Sequence, residues 1–182
     1  FFTQKTAYDI PLRLVGSEMC IRDRIIYNDP ETGILVEMWP CLHEINPATD
    51  KPFTVQEVAD KDVPDGVSYS IVENSTVPTD LSFRDAWVGV GIGTTGATIT
   101  EDITKAKEIH KKNIRLARAS KFIDLDIEYQ RALETSGDTS AIVAKKQALR
   151  DAPAASGITT AANVTELKAQ WDSTNLGDSP YS

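Results

Sequence analysis

The hydrophobic pattern of the chain changes period at Thr100, and that change separates two kinds of structure. From there Ile103, Ala106, His110, Ile114, Ala117, Leu125, Tyr129 and Ala132 recur at helical spacing, with a lapse near Ser120 and Lys121. The spacing predicts a helix of about 33 residues, about 50 Å long. Thr100 is its expected N-cap, with Glu101 and Asp102 favourable at the positive end of the helix dipole. Ser136 and Gly137 should stop it, and Asp138 should cap a second helix over 139–152, ended by Pro153. So short a connection makes the two helices antiparallel neighbours. Residues 154–157 read as a flexible linker to a short third helix with Val164, Leu167 and Trp171 on one face.

Ahead of Thr100 the apolar runs are short. Residues 25–27 and 34–39 flank Asn28, Asp29, Pro30 and Gly33, which reads as a β-hairpin closed by Pro40. Residues 41–52 read as loop, broken by Pro47 and Pro52. Thr54 can cap a short helix carrying Val55, Val58 and Ala59 on one face. Val67, Tyr69 and Ile71 then alternate with Ser68, Ser70 and Val72 as a half-buried strand. Pro78 and Asp80 form a turn, and 86–90 is a last strand. The expected fold class is α+β. A small N-terminal ββαβ(β) module at 25–90 is joined by a Gly/Thr-rich hinge at 91–99 to a helical hairpin at 100–153. A linker, short helix and flexible tail follow at 154–182. The first module is small enough to be marginal unless the tail or a partner covers it.

Residues 1–24 fit neither period for long. They also lack the ordered cationic start, apolar stretch and cleavage site of a signal peptide. The run resembles the in-frame translation of a sequencing-library adaptor, LVGSEMCIRDR above all. It is expected to be foreign to the fold, disordered or non-native, with the genuine chain beginning near Ile25.

The whole chain carries 19 basic and 27 acidic residues, a net charge of −8. Without residues 1–24 the counts are 15 and 24. This balance argues against a general nucleic-acid binder. Cys41 then stands alone, which suits a reducing compartment. No apolar run approaches the roughly 20 residues that span a bilayer, so no membrane partner is expected and the protein reads as cytosolic and soluble. Residues 25–100 hold three basic residues (Lys51, Lys61, Arg84) against twelve acidic ones, whereas 101–152 hold eleven against nine.

Several motifs lose to plainer readings. Gly91-Ile92-Gly93-Thr94-Thr95-Gly96 matches GxGxxG, but dinucleotide binding needs a helix immediately after it and an acid about 20 residues on. Lys111, Lys112 and Lys121 occupy that region instead, and a hinge is preferred. Cys41, His43 and Glu44 are potential ligands without a second cluster to complete a metal site. His110 lies on the apolar stripe and reads as a packed residue. Asp124, Asp126 and Glu128 resemble the start of a calcium loop, but Tyr129 stands where that loop needs glycine; they read as solvated surface. No nucleophile–base pairing or hydrolase motif is present, so no catalytic residue, cofactor or metal is assigned and an enzyme is not expected.

The first half of the long helix is strongly basic through Lys105, Lys107, Lys111, Lys112, Arg115, Arg118 and Lys121. The preferred account is a solvated face with i,i+4 pairs such as Glu101–Lys105 and Glu108–Lys112. Self-association comes next, then phosphate contact, since no aromatic residue interleaves the lysines.

From Ile25 onward the chain resembles small proteins encoded among the tail genes of tailed bacteriophages. The stretches carrying the resemblance are IIYNDPETG, TVQEVADKDVPDGVSYSIV, VPTDLSFRDAW, ITKAKEIHKKNIRLAR, LDIEYQRALETSGD, AKKQALRDAP and VTELKAQW, covering nearly all of 25–171. The ALRDAP block is also similar to part of tail fibre assembly proteins and tail assembly chaperones. The resemblance implies a non-enzymatic virion or tail accessory protein, in the particle or in the host cytoplasm during assembly. Its partner would be a phage tail or tail-fibre protein, with a homo-oligomer as a further option. Ile103, Ile114, Leu125, Tyr129, Leu149 and Trp171 are the expected apolar anchors. The alternative is a regulatory nucleic-acid-binding module acting through the basic half of the helix.

Overall fold

The computed structural model describes residues 23–181, which form two compact units. The first comprises residues up to Thr79 together with Val88–Thr100, and the second comprises Asp80–Trp87 and everything from Glu101. The fold is α+β, strands first and helices after.

In the first unit β1 (Asp23–Asn28) is the central strand of an antiparallel sheet, with β2 (Leu35–Met38) on one side and β5 (Tyr69–Glu73) on the other. The β1–β2 turn forms where Asp29 Oδ1 accepts from the amides of Glu31 and Thr32 at 2.9 and 2.7 Å. Residues 41–52, expected as plain loop, contain a small hairpin of β3 (Ile45–Asn46) and β4 (Lys51–Pro52). Helix α1 (Val55–Asp62) begins at Thr54 with a capping box, the Thr54 hydroxyl accepting from the Glu57 amide and the Glu57 carboxylate accepting from the Thr54 amide. Val58 and Ala59 of α1 pack with Ile25 and Val63 into a small core on one face of the sheet.

Strand β5 alternates buried and exposed positions as expected of a half-buried strand, but the buried set is the opposite one. Ser70 and Val72 are buried while Ile71 is exposed. Ser70 Oγ accepts the Gly93 amide at 2.8 Å, which ties the 91–97 turn to this unit. That turn joins β6 (Trp87–Val90) to β7 (Thr98–Glu101) in a two-stranded sheet. Residues 91–99, expected as a hinge, are therefore a hairpin turn and the start of a strand. Gly91, Gly93 and Gly96 all have φ between 70° and 85°, a conformation that explains the glycines without any ligand.

Residues 1–22 lie outside the described residues; Asp23 and Arg24, the last two of the segment expected to be foreign to the fold, are described. Both belong to β1. The Arg24 side chain is 1% exposed, with Nε donating to Glu37 Oε1 at 3.0 Å and the guanidinium 3.1 Å from the Trp39 ring centroid. Arg24 pairs with Val72 in the sheet register, so the strand extends two residues ahead of the predicted start.

The second unit is built on α2 (Ile103–Glu134). Its N-cap is Asp102, whose carboxylate accepts from Thr104 and Lys105 at 2.8 and 3.2 Å; Thr100 and Glu101 remain in β7. Helix α3 (Ser140–Asp151) runs back antiparallel, as the pairs Asp126–Lys146 (2.7 Å) and Arg118 to the Leu149 carbonyl (3.0 Å) require. Beyond it the expected linker and tail are a packed run. A 3₁₀ turn at Ala152–Ala154 leads to α4 (Ser156–Thr160), α5 (Val164–Lys168) and α6 (Ser173–Leu176). Pro153, Ile158, Ala161, Leu167 and Leu176 are all buried. The 3₁₀ segment Leu81–Ala86, expected in the N-terminal module, supplies Phe83 and Ala86 to the same core, and the Ala86 carbonyl accepts the Asp102 amide at 2.8 Å.

Candidate binding surfaces of the helical unit

Six apolar residues were expected to anchor a partner, and the core claims half of them outright. Ile114, Leu125 and Leu149 are buried together with Phe83, Ile158 and Leu167. Ile103 and Trp171 are partly buried against that core, and Trp171 Nε1 donates to the Gly177 carbonyl at 2.9 Å. Tyr129 carries Lys146 over its ring at 4.6 Å. These residues hold the unit together, which follows from the returning chain that the linker reading left out.

His110 is fully buried in an aromatic cluster. Its ring stacks on Tyr181 at 5.5 Å and meets Trp171 edge-on, while Tyr181 stacks on Phe83 at 5.1 Å. Nδ1 lies 2.8 Å from the Tyr181 hydroxyl, and Nε2 has no hydrogen-bond partner among the described residues. Burial holds the imidazole below its ordinary pKa, so the ring is neutral. At the edge of the same unit Lys168 donates to Asp80, which lowers the carboxyl to about 2.

What remains exposed on α2 is a different apolar row. Leu116, Ile123 and Ile127 fall within about 40° of one another around the helix and away from Ile114. Leu116 is 65% and Ile123 63% exposed. Leu133 on α2 and Val143 on α3 are exposed as well. The signal for this row was in the sequence, as a second apolar periodicity offset from the first.

The structure splits the seven expected cations. Lys111, Arg115 and Arg118 fall within about 60° on one face and line a groove of about 480 Å³ with Arg150, which the sequence reading had not grouped with them. Pro153, Ala154 and Thr159 complete the lining. Lys107 donates to the Thr159 carbonyl at 2.7 Å. Lys105 and Lys112 are exposed elsewhere on the helix, and Lys121 lines a separate groove with Asp124, Glu128 and Lys145. Glu108 pairs with Lys111 at 2.8 Å, at i,i+3, in place of the expected Lys112; the Glu101–Lys105 pair falls away because Glu101 precedes the helix.

Among the described residues no three His, Cys, Asp or Glu side chains lie together as a metal site. Cys41 is exposed, and Glu44 pairs with Lys61 at 3.1 Å. Among the same residues no helix is long and apolar enough to cross a membrane. Comparison with protein-family models, with curated proteins and with solved structures finds no match in any of the three.

Proposed function

We propose that this chain is a non-enzymatic accessory protein of tailed-phage particles or of their tail assembly, acting through protein–protein contacts of its helical unit. The setting comes from the ordered resemblance over 25–171. The observation that carries the mode of action is the exposed row Leu116, Ile123 and Ile127, since a row of large apolar side chains along a surface helix is a liability without something to cover it. The partner on this reading is a tail or tail-fibre protein, met in the host cytoplasm during assembly or in the virion. An apolar row suits reversible docking of a helix-in-groove kind and needs no catalytic group.

The test is cross-linking in phage-producing cells, with a tagged chain and mass spectrometry of what it captures. Wild type should cross-link to tail proteins. Leu116→Asp with Ile123→Asp should lose those cross-links while keeping the circular dichroism and melting temperature of the wild type. Retention of tail-protein cross-links by the double variant would remove the row from the reading, and capture of no phage protein would remove the setting.

The cationic groove leaves open a second reading, a regulatory module that contacts nucleic acid, against which the net charge of −8 weighs. A salt titration separates the two, because phosphate contacts weaken steeply with salt and apolar docking does not.

A further inference from the structure

The groove lined by Lys111, Arg115, Arg118 and Arg150 gathers four cations around one concavity, and among the described residues the one salt bridge made by these four is that of Lys111 with the exposed Glu108, whose charge also reaches Arg115. We propose that it is a binding site for the phosphate group of a small phosphomonoester, a function independent of the apolar row.

Three observations support this. First, the cations are convergent and partly preorganised. Arg118 is held by two hydrogen bonds from Nη1 to the carbonyls of Leu149 and Arg150, at 3.0 and 3.1 Å. The guanidinium carbons of Arg118 and Arg150 both lie within 6 Å of the Phe122 ring centroid. A guanidinium used in this way keeps its remaining N–H groups for a ligand, and its planar fork matches phosphate oxygens. Second, the positive charge is under-compensated. The carbonyl end of α3 offsets Arg118 in part, but among the described residues Arg115, Arg118 and Arg150 form no salt bridge with a carboxylate, Glu108 acting on Arg115 only from farther off. Like charges gathered on one concave face repel one another, and a dianion relieves that repulsion where a monoanion does so less. Third, the size and lining suit a phosphate carried on an organic body. About 480 Å³ lies within the range of small-molecule pockets, and Pro153 and Ala154 give an apolar patch beside the cations. A long polyanion is disfavoured, because the chain carries a net charge of −8.

The experiment titrates the full chain at low ionic strength with inorganic phosphate, phenyl phosphate, benzoate and a single-stranded oligonucleotide, reading amide chemical shifts. Phenyl phosphate should bind saturably, more tightly than inorganic phosphate and about tenfold or more tighter than benzoate, with shifts confined to the groove. Arg115→Gln and Arg150→Gln should each weaken phenyl phosphate about tenfold and leave the ligand-free melting temperature within about 2 °C of wild type. Arg118 is left in place because its hydrogen bonds hold the end of α3. Absence of saturation up to about 20 mM, equal binding of benzoate, or binding unchanged in both variants would each overturn the proposal. So would an oligonucleotide that displaces phenyl phosphate at about a hundredth of its concentration with a steep salt slope, which would make the groove part of a nucleic-acid surface.

Discussion

From Ile103 to Arg118 the long helix is covered by segments that arrive from both sides of it in the chain, the 81–86 turn from upstream and residues 152–181 from downstream. Beyond Arg118 its neighbours are α3 and, near Leu125, the short α6. The first stretch buries Ala106, His110 and Ile114, whereas the second buries Leu125 alone. One helix thus has a half that behaves as core and a half that behaves as a projecting arm. The second half is the richer in apolar residues, eight against six, so what differs is the amount of returning chain. Where the return stops, Ile123, Ile127 and Leu133 are left facing outward.

Truncating one side chain in each half tests this most severely. Ile114 is 1% exposed in a packed cluster, so Ile114→Ala should cost about 2–5 kcal/mol through lost burial and the cavity left behind. Ile123→Ala removes a side chain already in solvent and should stay within about 0.5 kcal/mol. Urea unfolding of both variants measures the contrast. Comparable losses from the two would mean that the arm is as buried as the core half. Asp at 114 should unfold the second unit, since it places an unpaired charge where nothing can pair with it.

A pH titration separates the halves by a second route, because His110 belongs only to the first. Its folded pKa is depressed by burial, so the unfolded chain binds the proton more readily than the folded one. Stability therefore rises with pH up to the ordinary histidine value of 6.5 and falls as pH drops below it, with the loss growing toward the depressed folded value. The melting temperature should decline between pH 7 and about pH 5, and His110→Phe should flatten that decline. Persistence of the decline in the variant would assign it to other groups. Asp80 acts in a lower window. With its carboxyl lowered to about 2 by Lys168, its contribution is present above the ordinary value of 3.8 and disappears as pH falls toward 2.

The same division shows what was legible in the residues. Local signals were read well: the capping residue Thr54, the Asp29 turn, the helical period of 103–132 and the stop after Glu134. Each rests on backbone chemistry within a few positions. Apart from the antiparallel pairing of α2 with α3, contacts between residues far apart were missed. Nothing near Phe83 or Ala86 says that they pack on α2, and the small residues of 154–157 looked like linker because alanine and glycine carry little apolar signal. Ala161 is buried all the same, since a close approach to other elements favours a small side chain. The anchors Ile114, Leu125 and Leu149 were recognised as apolar and periodic, which they are. Periodicity marks a face that must be covered but does not say whether the cover is the chain's own tail or another molecule.

The smallest effect belongs to the end of the arm, where local backbone geometry does the work that packing does elsewhere. Helix α2 closes in a Schellman arrangement, with the Gly137 amide donating to the Ala132 carbonyl at 2.8 Å and the Ser136 amide to the Leu133 carbonyl at 3.1 Å. The left-handed residue in this cap is Ser136, at φ 52°, and not the glycine beside it. An L-residue in that conformation costs about 1–2 kcal/mol, whereas glycine adopts it freely. Glycine also makes the unfolded chain more flexible, which takes back about 0.5–1 kcal/mol. Ser136→Gly should therefore stabilise by about 0.5 kcal/mol. The clearest readout is amide hydrogen exchange, which should slow at 128–134 and stay unchanged at 103–118. Slowing spread evenly along α2 would mean that the two halves open together, and the arm would then share the stability of the core.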